Sequence, residues 1–412
     1  MSNKLTYKET LEWMFAQLPM YQKIGGAAYK KDLQATLNLM KYLNHPETGF
    51  RSIHVAGTNG KGSVSHMLAS IFQEAGYKTG LYTSPHLKDF RERIKINGKM
   101  ISEKAVTDFI NAHASFLKAQ KLSFFEMTVG LAFEYFRNEK VAVAIIETGM
   151  GGRLDSTNVI KPEVSVITNI GLDHTQFLGN SPAEIAAEKA GIIKYKTPVV
   201  IGEENEETLP VFIKTANVQE APLIHAESDN TRYTNEIILD LKGDYQQKNL
   251  KAVLSTIKVL QDLNWKLHEA DVMKGLSNVV KNTGLLGRWQ KLQDHPKVIC
   301  DTGHNKEGLK WVVNQLRKEK YDKLHIVLGV VSDKDLNQIL PLFPKDAIYY
   351  FCKPDIPRGM PAELLEEAGH QFSLKGKSYV SVPEAYRSAL KEAAPNDLVF
   401  VGGSTFVVAE VI

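Results

Sequence analysis

Two α/β domains are predicted, the first built on a mostly parallel sheet and the second smaller. Three observations predict them. Short, almost wholly apolar runs of strand length alternate with helical patterns over most of the 412 residues, and strands that apolar belong to a parallel sheet covered on both faces. A glycine-rich turn joins the first such run to a helical stretch. A break at Lys281-Asn282-Thr283-Gly284 is followed by a second set of alternating runs, which divides the chain into 1–284 and 285–412.

In the first domain, strands are expected at 52–56, 79–83, 141–147, 164–168 and 198–201, with the first helix starting after residue 63. The stretch 203–241 is more polar. Its alternation at Glu236-Ile237-Ile238-Leu239-Asp240-Leu241 predicts antiparallel strands on the sheet's edge. Helices follow at 246–263 and 269–279. In the second domain, strands at 298–301, 324–328, 347–351 and 397–401 alternate with helices, a Rossmann-like pattern. No internal repeat or low-complexity tract interrupts it.

The composition, 43% hydrophobic and 24% charged, excludes a disordered or fibrous chain. A net charge of +3 gives no nucleic-acid footprint and leaves anionic substrates welcome. The first residues lack the apolar core of a signal peptide, and no apolar run is long enough to cross a bilayer. Cys300 and Cys352 lie in apolar strand-like runs and read as reduced, buried residues of a cytoplasmic protein.

The turn between the first strand and helix is Gly57-Thr58-Asn59-Gly60-Lys61-Gly62-Ser63. Its glycines permit a tight turn whose amides can face a phosphate, the helix N-terminus adds partial positive charge, and Lys61 adds a full one. Ser63 is placed to reach a magnesium ion. The run departs from a strict Walker A motif, with Val55 at the first glycine position and Gly62 after the lysine. Strand, loop and helix nevertheless predict an ATP-binding, P-loop NTPase-like first domain.

Three further strand ends supply polar groups to the same sheet edge. Thr83-Ser84-Pro85-His86 follows the second strand, at the carboxyl end where α/β sheets bind ligands. Glu147 ends a buried run and precedes Thr148-Gly149-Met150-Gly151-Gly152, where a carboxylate can hold magnesium or simply cap the next segment. Gly171-Leu172-Asp173-His174 follows the next strand. His174 is a candidate metal ligand there, although magnesium prefers oxygen.

Taken with Tyr82-Thr83-Ser84-Pro85, Leu172-Asp173-His174, Lys189-Ala190-Gly191-Ile192-Ile193-Lys194, Gly243-Asp244-Tyr245-Gln246-Gln247-Lys248-Asn249, Leu286-Gly287-Arg288-Trp289, Asp301-Thr302-Gly303-His304-Asn305 and Gly403-Ser404, the chain resembles the folylpolyglutamate synthase/dihydrofolate synthase family of the ATP-dependent Mur ligases. The resemblance runs through nearly the whole chain, and the family's own phosphate loop has glycine after the lysine. It implies an ATP-dependent ligase that joins L-glutamate to dihydropteroate and to folates through an acyl phosphate, in folate biosynthesis and polyglutamylation.

The resemblance also assigns residues. Ser84, Glu147 and His174 would hold one magnesium, with Ser63 beside the nucleotide, and two magnesium ions are implied together with a monovalent cation such as K+. Lys189 would be carbamylated by carbon dioxide and help hold the second ion. By its own spacing it is a solvated lysine on a helix announced by the capping box Ser181-Pro182-Ala183-Glu184. Asn249 would contact adenine, Arg288 and Asp301 would reach ATP, and His304 would lie near the phosphates and the incoming amino acid. Ser404 would bind glutamate, or simply cap a helix.

Asp155 matches a segment near the pterin, whose amino group and ring N–H suit a carboxylate. Phe124 or Phe125 could stack on that ring, and Lys88, Arg91, Arg93 and Lys95 offer either a cationic stretch to a glutamate tail or a solvated face. Arg153-Leu154-Asp155 resembles the form seen in bacterial members with both activities, so a bifunctional enzyme is expected. The expected partners are small molecules only, with no nucleic acid or membrane, on a monomer. The alternatives are a polyglutamylase alone, or another Mur-type ligase acting on a nucleotide-linked peptide, which would carry a whole domain before the loop. A non-catalytic nucleotide-gated protein would have no need of the other ligase residues. A dinucleotide oxidoreductase is disfavoured because Leu154 stands where its third glycine belongs.

Overall fold

The computed structural model describes residues 5–16, 32–226 and 237–412. They form two compact units, Met1–Asp240 with Gln247–Gly284, and Leu241–Gln246 with Leu285–Ile412.

Among the described residues the first unit holds eight strands: β1 (Arg51–Ala56), β2 (Thr79–Tyr82), β3 (Ile94–Ile96), β4 (Lys99–Met100), β5 (Val143–Glu147), β6 (Val164–Ile167), β7 (Val199–Ile201) and β8 (Leu223–His225). Their order is β4-β3-β2-β5-β1-β6-β7-β8. From β2 to β8 every pairing is parallel, while β3 and β4 add on antiparallel. Strand β1 lies between β5 and β6, so the turns after all three open on one edge. The central strands β2, β5, β6 and β7 are buried at every position because helices cover both faces, and that is why they are so uniformly apolar. The helix Lys61–Glu74 is buried continuously from Ser63 to Phe72. Gly275 of the helix Glu269–Ser277 packs against it: a Cβ at Gly275 would stand 2.6 Å from Ile71 Cα, and Ser70 Oγ donates to Gly275 O at 2.6 Å.

The antiparallel edge lies opposite to where the sequence predicted it. Within 203–241 the structure has a helix (Leu209–Val218) and β8, which runs parallel to β7. Residues 227–236 of that stretch lie outside the described residues, and 237–241 form no strand. Leu239 and Leu241 are buried, but Asp240 accepts from Val280 N at the start of the helix Val279–Thr283, an end cap rather than a ladder contact. The hairpin β3–β4 turns on Asn97 and Gly98, both at positive φ. Asn-Gly is the strong sequence signal for that turn type.

The second unit holds β9 (Gln290–Asp294), β10 (Lys297–Cys300), β11 (Leu324–Leu328), β12 (Ile348–Cys352), β13 (Lys375–Tyr379) and β14 (Leu398–Gly402), in the order β13-β12-β11-β14-β10-β9. Only β9 is antiparallel. The edge strands β9 and β13 escaped the sequence reading because exposure interrupts them and their charged residues read as loop; such charges protect sheet edges from further pairing. Cys300 and Cys352 are free and buried. Among the described residues no helix is long and apolar enough to cross a membrane.

Candidate active site

The turn after β1 is clamped by the turn after β6. Thr58 N donates to Asn169 O at 2.9 Å, Asn59 N to Asn169 Oδ1 at 2.8 Å, and Thr168 Oγ1 to Asn59 O at 2.5 Å. Two loop amides are therefore used internally. The first helical amides, from Lys61 to Ser63, have no intrahelical acceptor and are the ones that can face an anion. Gly60 caps this helix at φ +84°, and a Cβ there would stand 2.1 Å from Asn249 Oδ1, so the amide of Asn249 lies against the loop. At Gly57 (φ +149°) a Cβ would stand 1.8 Å from Thr168 Oγ1. Gly57→Ala is therefore expected to displace the loop, weaken ADP binding at least about tenfold and cost about 1–3 kcal/mol of stability, read by calorimetric titration and thermal melting.

Two lysines meet at this loop. Lys61 Nζ donates to Gly57 O at 3.0 Å and Thr58 O at 3.1 Å, and Lys189 Nζ donates to the same Gly57 O at 2.9 Å. The capping box of Ser181 and Glu184 is present on the helix Pro182–Ala190. Lys189, however, is 3% exposed, against the solvated position its spacing suggests. Burial, with the Lys61 ammonium second, pushes its pKa down to about 7. A primary amine that is half neutral at physiological pH is a nucleophile rather than a fixed cation.

Ser84 and Glu147, from the ends of β2 and β5, meet: Ser84 N donates to Glu147 Oε2 at 3.0 Å. Glu147 and Ser63 are buried. The hydroxyls of Ser63 and Ser84 and the Glu147 carboxylate are the hard oxygen donors that magnesium prefers. His174 takes a left-handed conformation (φ +52°) at the start of the one-turn helix Thr175–Leu178, with its N–H on Asp173 Oδ1 at 2.9 Å. Among the described residues no three His, Cys, Asp or Glu side chains gather as a metal site. A cation here would therefore need the serine hydroxyls, nucleotide phosphates or water as well.

Asp155 is 7% exposed. Its Oδ2 accepts from Gly149 N (2.8 Å) and Met150 N (3.0 Å), and its Oδ1 from Thr157 N (2.9 Å) and Thr157 Oγ1 (2.5 Å). Four incoming donors fill a carboxylate's acceptor positions, so this side chain holds the turn after Glu147 and is not an open acceptor. Burial pushes its pKa up while these hydrogen bonds work against that rise. Phe124 is core rather than an open stacking face: it is 4% exposed, stacked on Phe15 at 5.0 Å between centroids, with the Arg93 guanidinium 5.1 Å from its ring. Phe125 instead lies against Gly149, where a Cβ would come within 2.4 Å of its Cζ. The expected cationic stretch is largely spent inside the fold. Arg91 pairs with Asp89, Lys95 Nζ donates to Thr283 O at 2.8 Å, and the buried Arg93 donates to His86 Nδ1 at 2.7 Å.

In the second unit, Asp301 directly follows β10 and is 2% exposed. Its Oδ2 accepts from Tyr245 Oη and Trp289 N, both at 2.7 Å, and its Oδ1 from Gly303 N at 2.8 Å. Arg288 Nη1 donates to Thr302 Oγ1 and, at 3.3 Å, to Gly287 O. His304 Nδ1 lies 3.0 Å from Thr302 O, a carbonyl, so Nδ1 donates and Nε2 is the basic nitrogen of the neutral ring. Ser404 is buried and caps the helix Thr405–Ala409, its Oγ accepting from Phe406 N at 3.2 Å. Tyr245, Asn169 and Thr168 were missed as supporting residues. Tyr245 could have been found in the segment around Asn249 that carries the resemblance; Thr168 and Asn169 could have been found as the polar pair directly after the apolar β6.

Residues 55–272 match the Mur ligase middle domain, and residues 287–405 match the Mur ligase glutamate ligase domain. The chain is 31% identical to the dihydrofolate synthase/folylpolyglutamate synthase of Bacillus subtilis, over 98% of each chain. It is 31% identical to a probable bifunctional folylpolyglutamate synthase/dihydropteroate synthase of Haloferax volcanii, covering 98% of this chain but only half of that longer protein. Among solved structures, Escherichia coli FolC in complex with DHPP and ADP is similar at a TM-score of 0.85 and 27% identity, over 99% of this chain and 98% of that one. The bifunctional enzyme of Yersinia pestis complexed with AMPPNP and a manganese ion is similar at 0.83 and 26%, over 99% and 98%.

Proposed function

The chain belongs to the folylpolyglutamate synthase/dihydrofolate synthase family of Mur ligases, and on that premise we propose that it is an ATP-dependent ligase joining L-glutamate both to dihydropteroate and to reduced folates. The carrying observation is the phosphate loop with the Lys61 and Lys189 amines on one carbonyl, at the sheet edge where Ser84 meets Glu147.

The substrate carboxylate attacks the γ-phosphorus of ATP, forming an acyl phosphate and releasing ADP. The free amine of glutamate then attacks the acyl carbon, phosphate leaves, and an amide forms. Lys61 and the amides from Lys61 to Ser63 stabilise the charge spread over the transferring phosphoryl oxygens. His304, through Nε2, accepts the proton that the glutamate ammonium gives up to become the attacking amine. Ser63, Ser84 and Glu147 would hold a magnesium ion, which when bound supplies further positive charge to the phosphates. His174 joins that set on the strength of the resemblance alone. Two ions, a monovalent cation, and the roles of Asn249, Arg288, Asp301 and Ser404 toward nucleotide and glutamate belong to the same proposal. Lys189, as its neutral amine, attacks carbon dioxide; a C–N bond forms, one proton leaves, and the product is a carbamate anion able to face a cation.

Dihydropteroate has no glutamate tail, so contacts at its pterin end must position the reacting carboxylate alone. The turn fixed by Asp155 and backed by Phe125 is the surface proposed for that end. Purified protein incubated with ATP, magnesium, glutamate and dihydropteroate is expected to release ADP and form dihydrofolate, with ADP release requiring both acceptor and glutamate. Elongation of tetrahydrofolate without any dihydrofolate would reduce the assignment to a polyglutamylase. No acceptor-dependent ADP release from either would remove it.

A further inference from the structure

His54 is fully buried on β1, three residues before the phosphate loop. Its Nε2 lies 2.8 Å from Thr157 Oγ1, which lies 2.5 Å from Asp155 Oδ1. The direction of this chain can be assigned by counting protons. The Thr157 hydroxyl has one proton, and Asp155 already accepts three backbone N–H bonds, so the hydroxyl donates to the carboxylate and accepts from His54. His54 therefore carries its proton on Nε2. Its Nδ1 is buried with no hydrogen-bond partner among the described residues, an arrangement that costs less for a bare lone pair than for an N–H or a second charge. Burial, reinforced by the Lys194 ammonium, pushes the ring's pKa down to about 3, which keeps it neutral.

The chain ends on Gly149 N and Met150 N, in the turn that follows Glu147. Phe125 fills the space beside Gly149, and Gly152 of the same turn lies where a Cβ would come within 2.9 Å of the carbonyls of Glu188 and Lys189. A shift of Asp155 therefore has little room to be absorbed. The phosphate loop is held separately, by Asn169 and Thr168. We infer that His54 is a positioning residue: through Thr157 and Asp155 it holds the backbone of Gly149 and Met150 against the acceptor substrate, leaving the nucleotide largely unaffected. The acceptor half of this inference rests on the function proposed above.

The test uses the full chain with His54→Ala, His54→Gln and Thr157→Val. In ¹⁵N-resolved spectra, wild-type His54 is expected as the neutral tautomer protonated on Nε2. The Gly149 and Met150 amide signals should move in His54→Ala and return toward wild type in His54→Gln, whose amide can still donate to Thr157. KM for dihydropteroate should rise about tenfold in His54→Ala and in Thr157→Val, the loss of one buried hydrogen bond, and recover in His54→Gln. The dissociation constant for ADP should stay within about twofold. A ring protonated on Nδ1, unmoved Gly149 and Met150 amides, or equal losses for ADP and acceptor would each overturn the relay. A protein with no ligase activity would overturn the function instead, and the spectra would still decide the relay.

Discussion

Lys61→Ala is expected to lower ligation about 10³-fold in kcat while leaving the fold intact. The amine contributes charge where the transferring phosphoryl group develops it, and one such donor is worth about 10²- to 10³-fold in a site that excludes water. Its contacts in the folded chain are the carbonyls of Gly57 and Thr58, with no core packing to lose. The melting temperature should therefore change little. The substitution also has a consequence at a second site. Lys61 is one of the causes that push the Lys189 pKa down, so its removal should raise that pKa and leave more Lys189 protonated at neutral pH. Steady-state ADP release together with the melting curve checks the first part. Turnover near wild type would sink the assignment of this loop.

Lys189→Ala is expected to lose activity by a comparable factor, for a different reason. Wild-type protein prepared with bicarbonate should carry a mass increase matching one carbon dioxide on Lys189 under native conditions, and lose it on acidification. Only the neutral amine attacks carbon dioxide, and burial with the neighbouring Lys61 makes that form abundant near pH 7. Activity should accordingly depend on bicarbonate most steeply below pH 7, where the amine takes up a proton. The same shift predicts the stability of unmodified protein. Between about pH 7 and the ordinary lysine value of 10.5 the unfolded chain holds a proton that the folded chain does not. Stability therefore rises with pH across that window, and the destabilisation is complete below it. Lys189→Met should flatten this part of the profile. Full activity with an unmodified Lys189 would reject the carbamate.

The contrast between these two lysines marks where the sequence was legible. Lys61 announces itself through its neighbours in the chain, between glycines and at the start of a helix. Ser84 and Glu147, which the fold brings together, were legible in the same way, because a polar residue at the end of an apolar strand falls on the ligand-binding edge of a parallel sheet. The edge strands were hard to read because an edge is defined by what fails to pair with it, which no local pattern records. Asp240 illustrates the error: its alternating neighbours look like a strand, yet its carboxylate caps a helix from a later part of the chain. Phe124 and Phe125 were indistinguishable as adjacent aromatics, and only packing makes one core and the other a wall beside Gly149.

The chain's covalent order thus determined which residues turn, which end strands, and which family's motifs they spell, since those properties depend on backbone preferences over a few residues. Tertiary structure decided the state in which those residues stand. Lys189 bonds a carbonyl 132 positions away and sits beside the Lys61 amine; the His54 ring meets a threonine hydroxyl 103 positions away. Desolvation and the direction of a hydrogen bond arise only when distant segments close around a group, so the chemistry of Lys189 and the orientation of the His54 chain exist in the fold and nowhere in the local sequence.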